Sequence, residues 1–109
     1  MSFEEARKKI HAAIRKIPRG RVSSYGRIAA LAGYPRGARL TARALRDAPA
    51  DVPWFRVLNA QGKIAMPAGS RGARLQQKKL AAEGVKFTRG KVDWQRHGWP
   101  RPDFSPLLD

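Results

Sequence analysis

Glycine and proline residues divide this chain into short segments, and this division limits the structures that it can form. Pro18 and Gly20 end the first apolar pattern, Gly33 and Pro35 separate the next two, and Gly84 ends the last. Proline removes a backbone donor and glycine favours left-handed helix ends, so a helix is expected to stop near each of them. The sequence therefore predicts four short helices joined by tight turns.

The predicted helices are placed by apolar residues that recur at three- and four-residue steps. Ser2 and Glu5 have the spacing of a capping box at the start of the first helix, and Pro35 suits the first position of the third. Gly33 is placed to end the second helix in the left-handed conformation. The second and third helices, with the glycine-containing turn between them, form a helix-turn-helix pattern. The predicted ranges are 3–16, 25–32, 35–47 and 73–83.

A short β-hairpin is predicted after the third helix. Residues 55–58 and 63–66 flank a turn in which Gly62 is expected to take a positive φ. Residues 88–109 are interpreted as a C-terminal tail packed on a core of about residues 3–87. The sequence thus predicts one domain over residues 1–109, mainly α with a small β-hairpin.

The charge balance indicates a polyanionic partner. The 109 residues contain 23 Lys and Arg against 8 Asp and Glu, which gives a net charge of +15. Such an excess favours nucleic acid, or an acidic membrane surface, as the partner. No apolar run is long enough for a transmembrane helix, and the N-terminus lacks the pattern of a signal peptide. A cytoplasmic location is expected, associated with the nucleoid if the source is bacterial.

The absence of cysteine excludes whole classes of chemistry. A chain without this residue has no disulfide, no thiolate zinc site and no thiol nucleophile. His11 and His97 are the two histidines, and carboxylates are not clustered. Neither a metal site nor a cofactor is expected.

The third predicted helix carries a basic face. Four arginines lie within roughly an 80° arc at 100° per residue, opposite smaller and apolar residues. Arginine suits phosphate and minor-groove contacts, although a solvated arginine face has the same pattern. We expect this helix to contact DNA through Arg36, Arg39 and Arg43. The basic residues are Arg36, Arg39, Arg43 and Arg46, and the opposite ones are Ala38, Thr41, Leu45 and Ala48.

Three segments, in order, resemble the C-terminal domain of the O6-alkylguanine-DNA alkyltransferases. They are residues 17–29 (IPRGRVSSYGRIA), residues 37–39 (GAR) and residues 53–57 (PWFRV), and residues 79–84 (KLAAEG) follow them. The resemblance covers about residues 3–87 and implies a winged helix-turn-helix-like domain.

The resemblance also implies that the chemistry of that family is lost. In the family, a Pro-Cys-His-Arg-Val stretch carries the thiol that accepts the alkyl group. Here Trp54 stands at the cysteine position and Phe55 at the histidine position. An indole cannot replace a thiolate as a nucleophile. The pattern is typical of the non-catalytic alkyltransferase-like proteins. This resemblance implies that the protein binds O6-alkylguanine in double-stranded DNA and flips the nucleotide without alkyl transfer. It also implies that the bound lesion is a signal to nucleotide excision repair proteins. A monomer is expected.

Roles for single residues follow from the same resemblance. Tyr25 is similar to the tyrosine that crowds the 3′ phosphate and helps to rotate the nucleotide. Arg39 is similar to the arginine that fills the space left by the flipped base. Trp54 would lie beside the alkyl group, and Val57 would meet the edge of the guanine. The lesion pocket is thus expected to contain Tyr25, Trp54 and Val57.

The resemblance also bears on residues around the pocket. Pro67 stands where relatives can place an arginine that contacts the guanine. Arg71 or Arg74 is expected to make this contact instead, and Arg71 is assigned to the pocket. Arg56 is expected to brace the pocket, whereas Glu83 would pack or cap, since Phe55 leaves no histidine for it to bind.

The residues leave three alternatives open. An enzyme of this fold would need Tyr25, Ser70, Asp51 or Glu83 as its nucleophile, and none has a base at motif spacing. A helix-turn-helix transcription regulator would read sequence in the major groove. A general nucleic-acid-binding protein would use Trp94 and Trp99 as stacking platforms, although these side chains equally suit a cover over the core.

Overall fold

The computed structural model describes residues 2–101, in which helices enclose two clusters of apolar side chains. The helices are α1 (Phe3–Arg15), α2 (Tyr25–Leu31), α3 (Ala38–Leu45), α4 (Arg71–Ala82) and α5 (Trp94–His97). The strands, each of two residues, are β1 (Ser23–Ser24), β2 (Val57–Leu58), β3 (Phe87–Thr88) and β4 (Lys91–Val92). Among the described residues, no helix has the length and apolar character needed to cross a membrane.

The first cluster packs α1 against the helix-turn-helix, and the second lies beneath α4. In α1, Ser2 accepts the N–H of Glu5 at 3.2 Å, and the helix buries Ile10 and Ile14 one turn apart. Burial of such side chains contributes about 1.5–3 kcal/mol each. The first cluster contains Ile10, Ala13, Ile14, Ile17, Ile28, Ala44, Val52 and Val57, and the second contains Val22, Leu58, Leu80, Val85 and Val92.

The turn between α2 and α3 is longer than the sequence predicts. Gly33 ends α2 with φ +98°, as predicted, but Pro35 does not begin α3. The Gly37 N–H donates to the Tyr34 carbonyl at 2.9 Å, with Pro35 second and Arg36 third in the turn. Arg36 has φ +65°, which an α-helix does not accommodate. The fixed φ of proline suits the second position of a turn as well as the first position of a helix. The prediction that Pro35 begins the third helix was therefore wrong.

The basic helix is therefore shorter than predicted. α3 begins at Ala38, with Gly37 as its N-cap, and buries Thr41 and Ala44. Leu45 and Ala48 pack against the first cluster, as expected from their side of the helix, whereas Ala38 is exposed.

Two strands far apart in sequence pair in parallel. Ser23 lies opposite Val57, and Ser24 lies opposite Leu58. Parallel strands need a crossover connection, and here α2 and α3 provide it. The pairing brings the first residue of α2 next to the Pro53–Val57 segment.

The predicted hairpin over residues 55–66 is not formed. The predicted turn does form, since the Gly62 N–H donates to the Asn59 carbonyl at 2.9 Å and Asn59 Oδ1 accepts the Gln61 and Lys63 N–H groups. However, β2 pairs with β1, and residues 63–66 are not a strand. Gly62 does take a positive φ, of +80°, and its carbonyl accepts the Val92 N–H at 2.9 Å. The hairpin of this fold is instead β3–β4.

The segment after α4 packs onto the body of the domain. The Val22 N–H donates to the His97 carbonyl, and the Trp99 N–H donates to the Val22 carbonyl, both at 2.8 Å. Trp94 packs against the second cluster and Trp99 against the first, so both tryptophans cover the core. The rest of the predicted tail, residues 102–109, lies outside the described residues.

Gly37→Ala is expected to destabilise the protein by about 1–3 kcal/mol through overpacking. An added Cβ would lie 2.7 Å from the Tyr34 carbonyl oxygen and 3.2 Å from the Ala29 Cβ, so backbone must shift. Gly26→Ala is the matched control, because an added Cβ there meets nothing within 4 Å. Urea denaturation should show an unchanged or higher stability for the control. Equal stability of the two variants would contradict this account.

Candidate nucleic-acid interface

A cavity of about 280 Å³ lies between the helix-turn-helix, the Pro53–Val57 segment and α4. It is close to the lower end of the roughly 300–1,000 Å³ that is usual for small-ligand pockets. We call it the Trp54 cavity. Its walls are mostly apolar, with one phenol, one indole, one amide and one guanidinium. The lining residues are Tyr25, Ala42, Leu45, Arg46, Trp54, Val57, Met66 and Gln76.

Trp54 is presented by a single 3₁₀ turn. Trp54–Arg56 follows the buried Val52, whose carbonyl accepts the Trp54 N–H at 2.7 Å. The Phe55 ring meets the indole edge-on, with centroids 5.9 Å apart and planes at 87°. Such a geometry stabilises an aromatic pair and limits rotation of the indole.

A buried ion pair fixes this turn to the end of α4. Arg56 donates from Nε to Glu83 Oε1 at 3.0 Å and from Nη2 to Oε2 at 2.6 Å. The side chains are only 16% and 5% exposed. Arg56 Nη1 also donates to the Ile17 carbonyl, and the Gly20 N–H donates to Glu83. Arg56 thus has the bracing contacts that the sequence predicts, whereas the pairing of Glu83 with Arg56 was missed.

The environment of Glu83 favours its charged form. Burial alone would raise the pKa of this carboxyl group. Hydrogen bonds from Arg56 and the Gly20 N–H, together with the charges of Arg56 and Arg19, outweigh burial and hold the pKa below its usual value. Glu83 is therefore a carboxylate at neutral pH.

Gln76 holds the same segment from the other side. This buried side chain of α4 donates from Nε2 to the carbonyls of Phe55 and Val57, at 3.0 and 3.1 Å. Sequence reasoning missed Gln76, although Ala73, Gln76 and Leu80 follow helical spacing and form the buried stripe of α4. That stripe was the signal that could have placed it inward.

Tyr25 begins α2 at the edge of the Trp54 cavity. Its carbonyl accepts the Thr41 hydroxyl at 2.9 Å, which ties α2 to α3. Burial raises the pKa of the Tyr25 phenol, so the ring keeps its proton at neutral pH. A neutral phenol can approach a phosphate without charge repulsion.

The three predicted DNA-contact arginines, and Arg46 of the same basic face, are all exposed. Arg36 is in the turn, Arg39 and Arg43 are on α3, Arg46 follows α3, and all four are exposed. The Arg43 guanidinium lies over the Phe3 ring, 3.8 Å from its centroid. Within residues 2–101, the side chains of the other three make no hydrogen bond, ion pair or ring contact.

Arg71 is not among the residues that line the Trp54 cavity. α4 begins two residues earlier than predicted, because the Ser70 hydroxyl accepts the Ala73 N–H, and Arg71 is exposed in its first turn. Arg74 does not line the cavity either. The arginine that does is Arg46, which sequence reasoning had placed only on the basic face.

The lining suits binding better than covalent chemistry. The lining residues that the structure describes include no carboxylate, imidazole or thiol. Among the described lining residues, Tyr25 carries the hydroxyl group, and none of the others is a base that could activate it.

Comparison with known proteins places this architecture in a family. The DNA-binding domain of 6-O-methylguanine DNA methyltransferase matches residues 5–85. The DNA base-flipping protein of Vibrio parahaemolyticus is 44% identical over 93 residues, which cover 83% of this chain and 91% of that protein. Alkyltransferase-like protein 1 of Schizosaccharomyces pombe is 38% identical over 108 residues, which cover 97% of this chain and all of that protein.

The chain belongs to this family, as an alkyltransferase-like protein. A crystal structure of S. pombe Atl1 in complex with damaged DNA containing O6-carboxymethylguanine has a TM-score of 0.81 and 33% identity to it. The match covers 91% of this chain and 98% of that chain. The predicted helix-turn-helix fold class, mainly α with a small sheet, is confirmed.

Glu83→Gln in this alkyltransferase-like protein is expected to cost about 3 kcal/mol at pH 7, near the lower end for breaking a buried pair. Because the pKa of Glu83 is lowered in the folded state, its stabilisation is complete above the unfolded pKa of about 4.3. It is then lost as the pH falls through the folded pKa. Urea denaturation from pH 7 to pH 3 should show that the free energies of unfolding of the wild type and of Glu83→Gln become similar at low pH.

Asp51→Asn is the matched control, because it removes a carboxylate from the exposed Arg15–Asp51 pair. Asp51→Asn is expected to change the free energy of unfolding only slightly, and added salt should make this change smaller still. A constant difference between Glu83→Gln and the wild type over the whole pH range would contradict the assignment.

Proposed function

We propose that this protein binds double-stranded DNA that carries O6-alkylguanine, rotates the modified nucleotide into the Trp54 cavity and holds it there without alkyl transfer. The observation that carries the proposal is the position of Trp54. By the resemblance, Trp54 stands at the place of the family's cysteine, and its indole forms part of the wall of a cavity of about 280 Å³.

The relatives support this reading. One carries the name DNA base-flipping protein, and S. pombe Atl1 has been crystallised with damaged DNA containing O6-carboxymethylguanine. The matched regions cover 91% of the Vibrio parahaemolyticus protein and all of the S. pombe protein.

Selectivity would come in part from the lesion itself. An alkyl group on O6 removes the N1 proton of guanine and weakens its pairing with cytosine. Extruding a nucleotide costs a few kcal/mol, and least for a damaged base. The exposed Arg36 and Arg39 would hold the duplex by phosphate and groove contacts, and Arg39 would fill the gap in the stack.

The cavity would hold the modified base by complementary contacts. Trp54, Leu45 and Met66 offer apolar surface to an alkyl group. Arg46 is the cation in the lining, and a guanidinium can hydrogen-bond to a base edge or stack on its plane. Val57 is fixed by β2 pairing and by Gln76, so its backbone is a rigid edge for the guanine.

The candidate nucleophiles are each committed elsewhere. Glu83 binds Arg56, and Ser70 caps α4. Asp51 binds Arg15, whose hydrogen bond lowers the pKa of its carboxyl group. The Tyr25 phenol is protonated at neutral pH. In the described part of the chain, none of these four side chains hydrogen-bonds to a group that could act as its base, and this supports binding over alkyl transfer.

The proposal has a biological extension that rests on the family resemblance alone. A monomeric protein, cytoplasmic or on the nucleoid of a bacterium, would present the bound lesion to nucleotide excision repair proteins.

The absence of alkyl transfer has a direct test. A duplex with O6-[³H-methyl]guanine is expected to bind more tightly than the undamaged duplex, while no label becomes attached to denatured protein. Trp54 quenching on binding, lost in Trp54→Phe, would place the lesion at the indole. Radioactive label on the denatured protein, or equal affinity for the two duplexes, would contradict the proposal.

Arg39→Ala is expected to weaken binding of an O6-methylguanine duplex by about tenfold or more, because the gap left by the flipped base stays unfilled. Lys8→Ala removes the same charge from an exposed position on α1 and serves as control. Fluorescence anisotropy gives the affinity, and 2-aminopurine beside the lesion reports flipping. Equal losses in the two variants would show that Arg39 contributes charge alone.

A further inference from the structure

A second, larger cavity adjoins the Trp54 cavity. It measures about 450 Å³ and lies between the Lys63–Gly69 segment, α4 and the β3–β4 hairpin. We call it the Arg74 cavity. Met66 lines both cavities and is the residue that their linings share. The lining residues are Lys63, Ile64, Met66, Ala68, Gly69, Ala73, Arg74, Gln77, Phe87, Arg89 and Gly90.

The Arg74 cavity is cationic around an apolar floor. Lys63, Arg74 and Arg89 line it, and in the described part of the chain their side chains form no ion pair. Its described lining contains no carboxylate. Ile64 and Phe87, both half-buried, supply the apolar surface. Unpaired cations beside apolar side chains suit a ligand with an aliphatic stem and an anionic end.

Met66 is the side chain that contacts both cavities. A Cβ added to Gly72 would lie 2.5 Å from Met66 Sδ, so the thioether rests directly on the bare backbone of α4. Methionine is unbranched and adapts its shape readily. Its adaptable side chain is therefore the part of the shared lining that can change shape without a change in the backbone.

We propose that the Arg74 cavity receives the distal part of extended O6 substituents and selects those that end in an anionic group, such as carboxyalkyl adducts. The inference rests on the proposed function, because the modified guanine must occupy the Trp54 cavity. From there, a carbon chain on O6 passes Met66, and its terminal carboxylate meets Arg74 and Arg89.

A phosphate of the bound DNA strand has the same chemistry as the carboxylate. The shared wall at Met66 favours the substituent, because a group attached to the flipped base starts from inside the Trp54 cavity. The two sources behave differently in a test, since a phosphate is present in every duplex.

The test compares two duplexes that differ in one charge. O6-carboxypentylguanine and its carbamoylpentyl counterpart have the same length, and O6-methylguanine and guanine duplexes serve as references. The wild-type protein is expected to bind the carboxylate about tenfold more tightly than the carboxamide, the effect of roughly one charge-assisted hydrogen bond. Arg74→Gln and Arg89→Asn, singly and together, are expected to bring this ratio toward unity.

Lys78→Gln is the matched control, since Lys78 is exposed on the same helix and lines neither cavity. It should keep the wild-type ratio, and circular dichroism checks the fold of every variant. A wild-type ratio near unity, or variants that weaken all duplexes equally as a phosphate contact would, overturns the inference. Failure to prefer O6-methylguanine over guanine would instead overturn the proposed function.

Discussion

The geometry of the site depends on the Arg56–Glu83 ion pair. One guanidinium binds both carboxylate oxygens and the Ile17 carbonyl, and the carboxylate also accepts the Gly20 N–H. Three segments that are distant in sequence therefore meet at two side chains. Because a buried charge is costly unless it is paired, neither partner tolerates loss of the other. The position of the Trp54 turn follows from this pair.

A second constraint brings the helix-turn-helix to the same place. The parallel pairing of β1 with β2 makes α2 and α3 a crossover connection, so the start of α2 lies beside the Trp54 turn. Tyr25 and Trp54, separated by 29 positions in the sequence, thereby line one cavity. The exposed arginines from Arg36 to Arg46 lie on the same crossover, so one connection carries both the basic helix and part of the wall of the cavity.

Local signals in the sequence predicted the helices well and the strand pairing badly. Capping residues and helical spacing located α1, α2 and α4 to within two residues. Pro35 and the segment 63–66 were misplaced, because proline suits both the second position of a turn and the start of a helix, and alternation does not identify the partner of a strand. For the site, the resemblance supplied Tyr25, Trp54 and Val57. Arg46 and Met66 reach the cavity through tertiary packing that spacing alone does not encode, whereas the helical spacing of α4 did indicate that Gln76 faces inward.

The alternation of β2 places the cavity wall between the two apolar clusters. Val57 belongs to the first apolar cluster and its neighbour Leu58 to the second, so one short strand joins two separately packed halves. Tyr25 packs on the first half, while α4, which carries Gln76, is anchored by Leu80 in the second. The wall of the cavity is thus shared between the two clusters, which the β1–β2 pairing, Gln76 and the Arg56–Glu83 pair hold together, so the shape of the cavity depends on the packing of both.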